Sequence, residues 1–441
     1  MYIENKVSVY DFACAIAGVI DLSYPSLSNH HKRVAYISWK IARELSMPDY
    51  QTQNIIIGAL LHDIGAFSLA DYDQILSLNS DPLDICEHAI VGYKLLSGFH
   101  PLAEVAQLIR HHHADYQRDD GQVSMGSYII NLADRIAVLY KDKCSPSTQA
   151  TNLIDSIAQC GLAFHPAALG AFFELATHES FWLGIVSSDI NPDVENNLRY
   201  STNIDSMVGF RSFARIVARM IDFRNRFTVT HSNGVAAVAQ ELARSIGFSE
   251  PVCEMAEIAG LLHDLGKLAI PNELFLKAEV LSAQEFETIR QHPYHTFMML
   301  SNIRGMEQTA VWVSHHHERL DGSGYPFNAI GQEFSELSQI MTTADVYTAV
   351  LEDRPYRPGK SHRDAMVILG ELVDNGGLDV DIVDVLFSHL ERIDPIRERA
   401  QLAAAREYEL FSSLGFLGGA GGAGAGAVSD VTRKSESRLL A

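Results

Sequence analysis

Along most of the chain apolar residues recur at intervals of three and four, the period of helices with one buried face, and alternating β-branched runs are scarce. The stretch HHKRVAYISWKIARELSM from His30 sets Val34, Ile37, Ile41 and Leu45 on one face, and HSNGVAAVAQELARSIGF from His231 does the same with Val235, Val238 and Leu242. Helical periodicity returns between Arg363 and Ser413, where it is expected to cover the second core. The pattern predicts an all-α protein. A polar, acidic stretch, SSDINPDVENNLRYSTN at 187–203, interrupts the periodicity and predicts a boundary. The expected division is an N-terminal domain at 1–190, a linker at 191–206, a second domain at 207–415 and a tail at 416–441. Leu417–Ala427 is almost entirely Gly and Ala, too poor in apolar surface to order itself, and a flexible tail is expected. Two domains suit a chain of 441 residues, which is long for a single core.

The two halves repeat one order of motifs. His30, GALLHDIG with His62 and Asp63, EHAIVGYKLL with His88, IRHHHADY with His112 and INLADRIAVLY with Asp134 occur in the first half. His231, AGLLHDLGKLAIP with His263 and Asp264, QHPYHTFMML with His292, VSHHHERLDGSGYP with His316 and His317, and IMTTADVYTAV with Asp345 occur in the second. Thirty-two residues separate His30 from His62 and His231 from His263, and 24 separate His88 from His112 and His292 from His316. The interval between these pairs differs slightly, 26 residues against 29. A period of this length is a domain duplication and not a solenoid repeat.

Composition narrows the class. The chain is 47% hydrophobic and 20% charged, with no uninterrupted apolar run long enough to span a bilayer. No signal peptide, no membrane span and a cytoplasmic location are expected. The five cysteines are scattered and never form a C-x-x-C pair, which fits free thiols and argues against a zinc–thiolate site. A formal net charge of −21 argues against a polymeric nucleic-acid partner, because tracking a polyphosphate needs clustered Lys and Arg. It leaves open a small phosphate ester held by metal ions and a few local basic groups.

A histidine on an apolar helical face is ordinarily a satisfied core residue, and a lone His-Asp pair is weak evidence of anything. The set changes that reading. Several segments in each half deliver His or Asp to an apolar face, and cores do not collect many imidazoles without a ligand. Nitrogen and oxygen donors without thiolates suit iron, manganese or a similar divalent ion.

His231, the His263-Asp264 pair, Lys267, His292, the run His316-His317-Glu318 and the loop Gly322-Ser323-Gly324-Tyr325-Pro326 together resemble an HD-GYP domain, over Asp222–Tyr356. That family belongs to the all-helical HD superfamily of metal-dependent phosphohydrolases and hydrolyses cyclic dinucleotides. The first half resembles a second HD domain without the GYP element. The resemblance implies that His231, His263, Asp264 and Asp345 ligate one metal, that Asp264 bridges, and that His292, His316 and His317 hold a second. Two metals roughly 3.5–4 Å apart can align an in-line attack on phosphorus and stabilise the leaving oxygen. Lys267 is implied to neutralise a phosphate oxygen or protonate the leaving group. Gly322, Gly324, Tyr325 and Pro326 are implied to form a substrate lip, and Arg354 and Arg357 to grip phosphate.

Two departures qualify the match. Some members place a glutamate four residues before the first ligand histidine, supporting a third metal; Phe227 stands there, and two metals are expected. Thr348-Ala349-Val350 replaces the usual run after Asp345, so an acidic residue near the substrate is missing and the purine preference is open. In the first half His30, His62, Asp63, His88, His112 and Asp134 keep the donor types, while Ala66 stands where Lys267 does. That site reads either as a scaffold kept for packing or regulation, or as a second metal site removing a 5′-phosphate from the linear product. The expected activity is hydrolysis of cyclic di-GMP, of 3′,3′-cyclic GMP-AMP, or of both. The alternative is a catalytically silent cyclic-dinucleotide-binding module that passes a signal to a partner. The sequence leaves a signalling partner or homo-oligomer open.

Overall fold

The computed structural model describes residues 7–23, 28–66, 82–119, 121–141, 144–190, 192–201, 203–224, 228–277, 280–330, 334–353 and 358–412. Arg354, Arg357, Phe227 and the tail expected at 416–441 lie outside the described residues. Among the described residues the fold is all-α apart from one two-stranded pairing. The chain forms two compact units, one spanning Lys6–Ile204 and the other beginning at Asp205.

In the first unit His30–Glu44 packs against Asp49–Leu61 and Met125–Leu139, and Ala103–Arg110 packs on Asp49–Leu61 beside Pro82–Ser97. Val34, Ile37 and Ile41 are fully buried, as their spacing predicts, and Leu45 falls just past the helix end, half-buried. In the second unit His231–Ile246 packs against Glu250–Leu262, Glu336–Leu351 and Leu390–Ser412, with Val235, Val238 and Leu242 in the core. The same device starts the corresponding helices of both units. Ser124 caps Met125–Leu139 by accepting the Ser127 amide, and Ser335 caps Glu336–Leu351 by accepting the Ser338 amide.

The stretch expected to be a linker is structured in part. Helix Pro192–Ser201 occupies it, and Asn203–Ile204 pairs antiparallel with Val7–Ser8. Among its described side chains one fully buried apolar residue, Leu198, anchors that helix, and Arg199 bonds Asp11 at 2.8 Å. Its apolar positions, Val194, Leu198 and Tyr200, are few and set among polar residues, so the hydrophobic pattern did not reveal the helix.

Candidate metal centre

Most donors of the second unit sit at helix ends and not along helix faces. His231 opens His231–Ile246, His292 opens His292–Ser301, His263 follows Glu250–Leu262, and His316 and His317 follow Glu307–Ser314. Asp345 alone lies inside a helix, Glu336–Leu351. Helix ends carry free backbone carbonyls, and these orient the rings. The Nδ1–H groups of His263, His292 and His316 donate to the carbonyls of Gly260 (2.8 Å), Ile289 (2.7 Å) and Val313 (2.5 Å). His231 Nδ1 donates to the Glu352 carboxylate at 2.9 Å. Each contact assigns the tautomer and leaves Nε2 as a lone-pair donor, the second-sphere pattern of metal-binding histidines.

The Nε2 atoms converge on Asp264. His292 and His316 approach Oδ1 at 3.3 and 3.8 Å, and His263 approaches Oδ2 at 3.2 Å. His231 Nε2 lies 3.1 Å from Asp345 Oδ1. His292, His316 and His317 form one group of donors and His231, His263 and Asp264 another, each within 4.8 Å. The Nε2 atoms of His292 and His316 are 3.1 Å apart although both rings carry their proton on Nδ1. Two lone pairs facing each other at that distance repel unless a cation lies between them. His263 Nε2 and Asp264 Oδ1 are buried without a hydrogen-bond partner, an arrangement that costs about 1–3 kcal/mol per neutral group and more for a carboxylate. The residues therefore fit divalent cations, through nitrogen and oxygen donors.

Burial alone would raise the Asp264 carboxyl, but His263 and Lys267 hold it well below the usual range. Lys267, in the 3-10 turn Leu265–Ala269, places Nζ 2.5 Å from Asp264 Oδ2. Burial takes His316 down to about 3 and His317 well below its ordinary value, so both rings are neutral and able to ligate. For His231 burial lowers, but Glu352 and Asp345 win and raise it to about 10, a measure of the negative field at that ring.

The GYP loop lies against this centre. Tyr325 stacks on His317 with ring centroids 4.8 Å apart, and the Arg290 guanidinium lies over the Tyr325 ring, 4.5 Å from its centroid. Glu318, fully buried, accepts the amides of Phe327, Asn328 and Ala329 at 2.7, 3.1 and 3.0 Å and so fixes the loop's exit. A Cβ on Gly324 would meet Glu318 Cα at 2.4 Å, which explains glycine there, and Gly322 has φ +77°. Thr348 and Val350 are fully buried, so neither presents a side chain to solvent.

The first unit repeats the arrangement. His88 and His112 approach Asp63 Oδ1 at 3.1 and 3.8 Å, His62 approaches Oδ2 at 3.1 Å, and His30 lies 3.2 Å from Asp134 Oδ1. Nδ1 of His62 and His112 donate to the carbonyls of Ala59 and Ile109 at 2.8 and 2.7 Å. Both Asp63 oxygens are buried without a hydrogen-bond partner. Burial would raise Asp63, but His62 and His88 hold it well below the usual range.

Several residues of these centres were not singled out by the sequence. His113 joins Asp63, His88 and His112 in one donor group, as the spacing to His317 in the other half could have shown. Glu352 orients His231 from 121 residues away, and no local pattern signals it. Asp222 is a buried carboxyl that burial pushes up to about 7; it accepts from Ser232 at 2.9 Å and lines a cleft with Asp264, Lys267 and Arg224.

Comparison with known proteins agrees with the duplication. HD-domain families match residues 27–139 and 215–382. A 3′3′-cGAMP-specific phosphodiesterase of Vibrio cholerae is 28% identical over 400 residues, covering 87% of this chain and 92% of that protein. A cyclic di-GMP phosphodiesterase of Pseudomonas aeruginosa is 37% identical over 159 residues, 36% of this chain and 38% of that one. The crystal structure of a cyclic GMP-AMP-specific phosphodiesterase of V. cholerae shares the fold, with a TM-score of 0.61 at 18% identity over 88% of this chain and 98% of that chain. Among the described residues no helix is long and apolar enough to cross a membrane. Matched in each half by an HD family and built twice on the same His-Asp scaffold, the chain belongs to the HD-domain proteins and carries two HD domains in tandem.

Proposed function

We propose that the second HD domain opens a cyclic dinucleotide by hydrolysing one 3′,5′-phosphodiester, releasing a linear dinucleotide with a 5′-phosphate. The observation that carries this reading is the convergence of lone-pair nitrogens on a two-oxygen carboxylate, with an ammonium 2.5 Å from one of those oxygens. His231, His263, Asp264 and Asp345 would hold one ion and His292, His316 and His317, with Asp264, a second; iron or manganese would suit these donors. Ions bound there would supply Lewis acidity toward the phosphoryl group and toward the attacking water.

The protein's own groups do the rest. Lys267 neutralises a non-bridging phosphate oxygen or protonates the departing 3′-oxygen. Glu352 keeps His231 in the ligating tautomer, and Glu318 holds the GYP loop, with Gly322, Gly324, Tyr325 and Pro326 as the substrate lip. Arg354 and Arg357 are assigned to the phosphates on their motif alone. The substrate is cyclic di-GMP or 3′,3′-cyclic GMP-AMP; relatives named for each support the class and do not choose between them. The first HD domain retains a full donor set, which supports a second phosphohydrolase acting on the 5′-phosphate of the linear product.

Product analysis on iron- or manganese-loaded protein tests both assignments. Wild type, Asp264→Ala and Asp63→Ala are each given the two cyclic dinucleotides and their linear 5′-phosphorylated products. Ring opening lost in Asp264→Ala, with 5′-phosphate release lost in Asp63→Ala, is the expected result. Ring opening at the wild-type rate in Asp264→Ala would refute the site, and tight binding by wild type without turnover would make the domain a binding module.

A further inference from the structure

The two domains differ at one atom's surroundings. In the second domain Asp264 Oδ2 faces the Lys267 ammonium at 2.5 Å. In the first, Ala66 replaces that lysine, and the equivalent oxygen, Asp63 Oδ2, faces His31 Nε2 at 4.0 Å. His31 is completely buried, and its Nε2 has no hydrogen-bond partner. Its Nδ1–H donates to the buried Asp21 carboxylate at 2.5 Å, so Nε2 carries the lone pair and points it at a carboxylate oxygen. Nothing is gained by burying a nitrogen lone pair opposite an anion unless a cation joins them. His31, His62 and Asp63 offer donors within 4.8 Å of one another.

The counterpart position shows that this histidine is not required by the scaffold. Ser232 follows His231 as His31 follows His30, and Asp222 lies nine residues before His231 as Asp21 does before His30. There a serine hydroxyl donates to one oxygen of the buried aspartate, at 2.9 Å. The first domain replaces that short hydroxyl with a ring long enough to reach past the aspartate to the centre. A carboxylate behind the distal nitrogen of an imidazole is the arrangement that orients and strengthens histidine ligands.

We propose that His31, oriented by Asp21, is an additional nitrogen ligand to the divalent first-row transition metal that His62 and Asp63 hold in the first domain. The side of Asp63 that faces a lysine in the other domain thus faces a ligand here, and the first site binds its ion more tightly. The proposal rests on the first domain's being a metal site at all, and the test separates the two claims.

The full-length chain with His263→Ala and Asp264→Ala, in which the second centre is disabled, is titrated in its apo form with Co(II). Calorimetry gives the affinity, and the visible ligand-field spectrum reports the donors. His31→Ser, which restores the residue found at the matching position of the other domain, is expected to weaken Co(II) binding by roughly 10–100-fold and to shift the spectrum. Asp21→Asn, which leaves the ring in place, is expected to weaken it less; it carries the test if the serine variant does not fold, as judged by circular dichroism. Unchanged affinity and spectrum in a folded His31→Ser protein, or in Asp21→Asn if only that variant folds, would overturn the proposal. If the parent takes up no first-domain Co(II), the metal assignment itself is wrong.

Discussion

The two HD domains hold the same donors in the same geometry and differ in what surrounds them. His62 lies 3.1 Å from Asp63 Oδ2 and His263 lies 3.2 Å from Asp264 Oδ2; His88 lies 3.1 Å and His292 3.3 Å from the other oxygen. Outside that shell the second domain adds Lys267, the Glu352 support behind His231 and the loop braced by Glu318, whereas the first adds the buried pair Asp21–His31. A metal shell alone is thus not a substrate specification. The shell is conserved within the molecule because helix-end carbonyls aim the rings of His62 and His112 in one domain and of His263, His292 and His316 in the other, and the chemistry is varied by groups that such geometry does not fix.

The broadest break in the comparison removes the shared carboxylate from one domain at a time. Asp264→Ala is expected to lower ring opening by a factor on the order of a thousand or more, because the donors of the second domain converge on that carboxylate and any ion held there would lose it. Asp63→Ala is expected to leave ring opening near the wild-type rate and to stop release of the 5′-phosphate. Chromatography of the products after short reactions reads both outcomes. Loss of ring opening in both variants would mean that the domains do not act separately.

Lys267→Ala comes next. If the ammonium stabilises charge that develops on the phosphate, kcat for ring opening falls by about 100–1,000-fold while metal content stays full. A drop in metal content instead would show that Lys267 only balances Asp264, the contact seen at 2.5 Å. Metal analysis beside steady-state kinetics distinguishes these, and the first domain needs no such control because Ala66 holds the position.

Glu352→Gln sharpens the contrast behind the first ligand histidine. Removing the charge that accepts the His231 Nδ1–H at 2.9 Å is expected to weaken one ion by roughly 10–100-fold. The measurement is the metal concentration needed to restore activity to apo protein. An unchanged requirement would leave Glu352 a packing residue, satisfied by its bond from Gln401.

These groups also mark where the sequence is legible. The all-α fold could be read from residues such as Val34, Ile37 and Val235, because burial of one helical face imposes a period on the chain. His263, Asp264 and Lys267 could be read because a turn brings them together within five residues. Glu352 could not, since its bond to His231 spans 121 residues and depends on how two helices cross. His31 could not either: it stands beside His30 in a helix whose apolar stripe made one histidine legible and gave no sign that the next would be completely buried. The helix Pro192–Ser201 was missed for a different reason, its few apolar positions, of which Leu198 is the fully buried one among the described side chains.

The smallest expected effect on chemistry concerns a glycine that both domains share. A Cβ on Gly266 would meet the His292 carbonyl oxygen at 1.9 Å, and one on Gly65 would meet the His88 carbonyl oxygen at 2.2 Å. The glycine after each His-Asp pair is therefore required by the close approach of the helix that delivers the next ligand, and its backbone needs no positive φ. Gly266→Ala and Gly65→Ala are each expected to cost about 1–3 kcal/mol by overpacking, read from denaturant midpoints of metal-free protein. In Gly266→Ala the displaced segment carries His292, so the metal requirement for ring opening should rise as well, by a few-fold; in Gly65→Ala it should not. Equal stability losses with an effect on ring opening confined to the second domain would show that the duplicated packing is equivalent and the two centres independent. A stability loss in only one domain would mean that the other has relaxed its helix away from the glycine, and that the shared geometry is less strictly maintained than the matching distances imply.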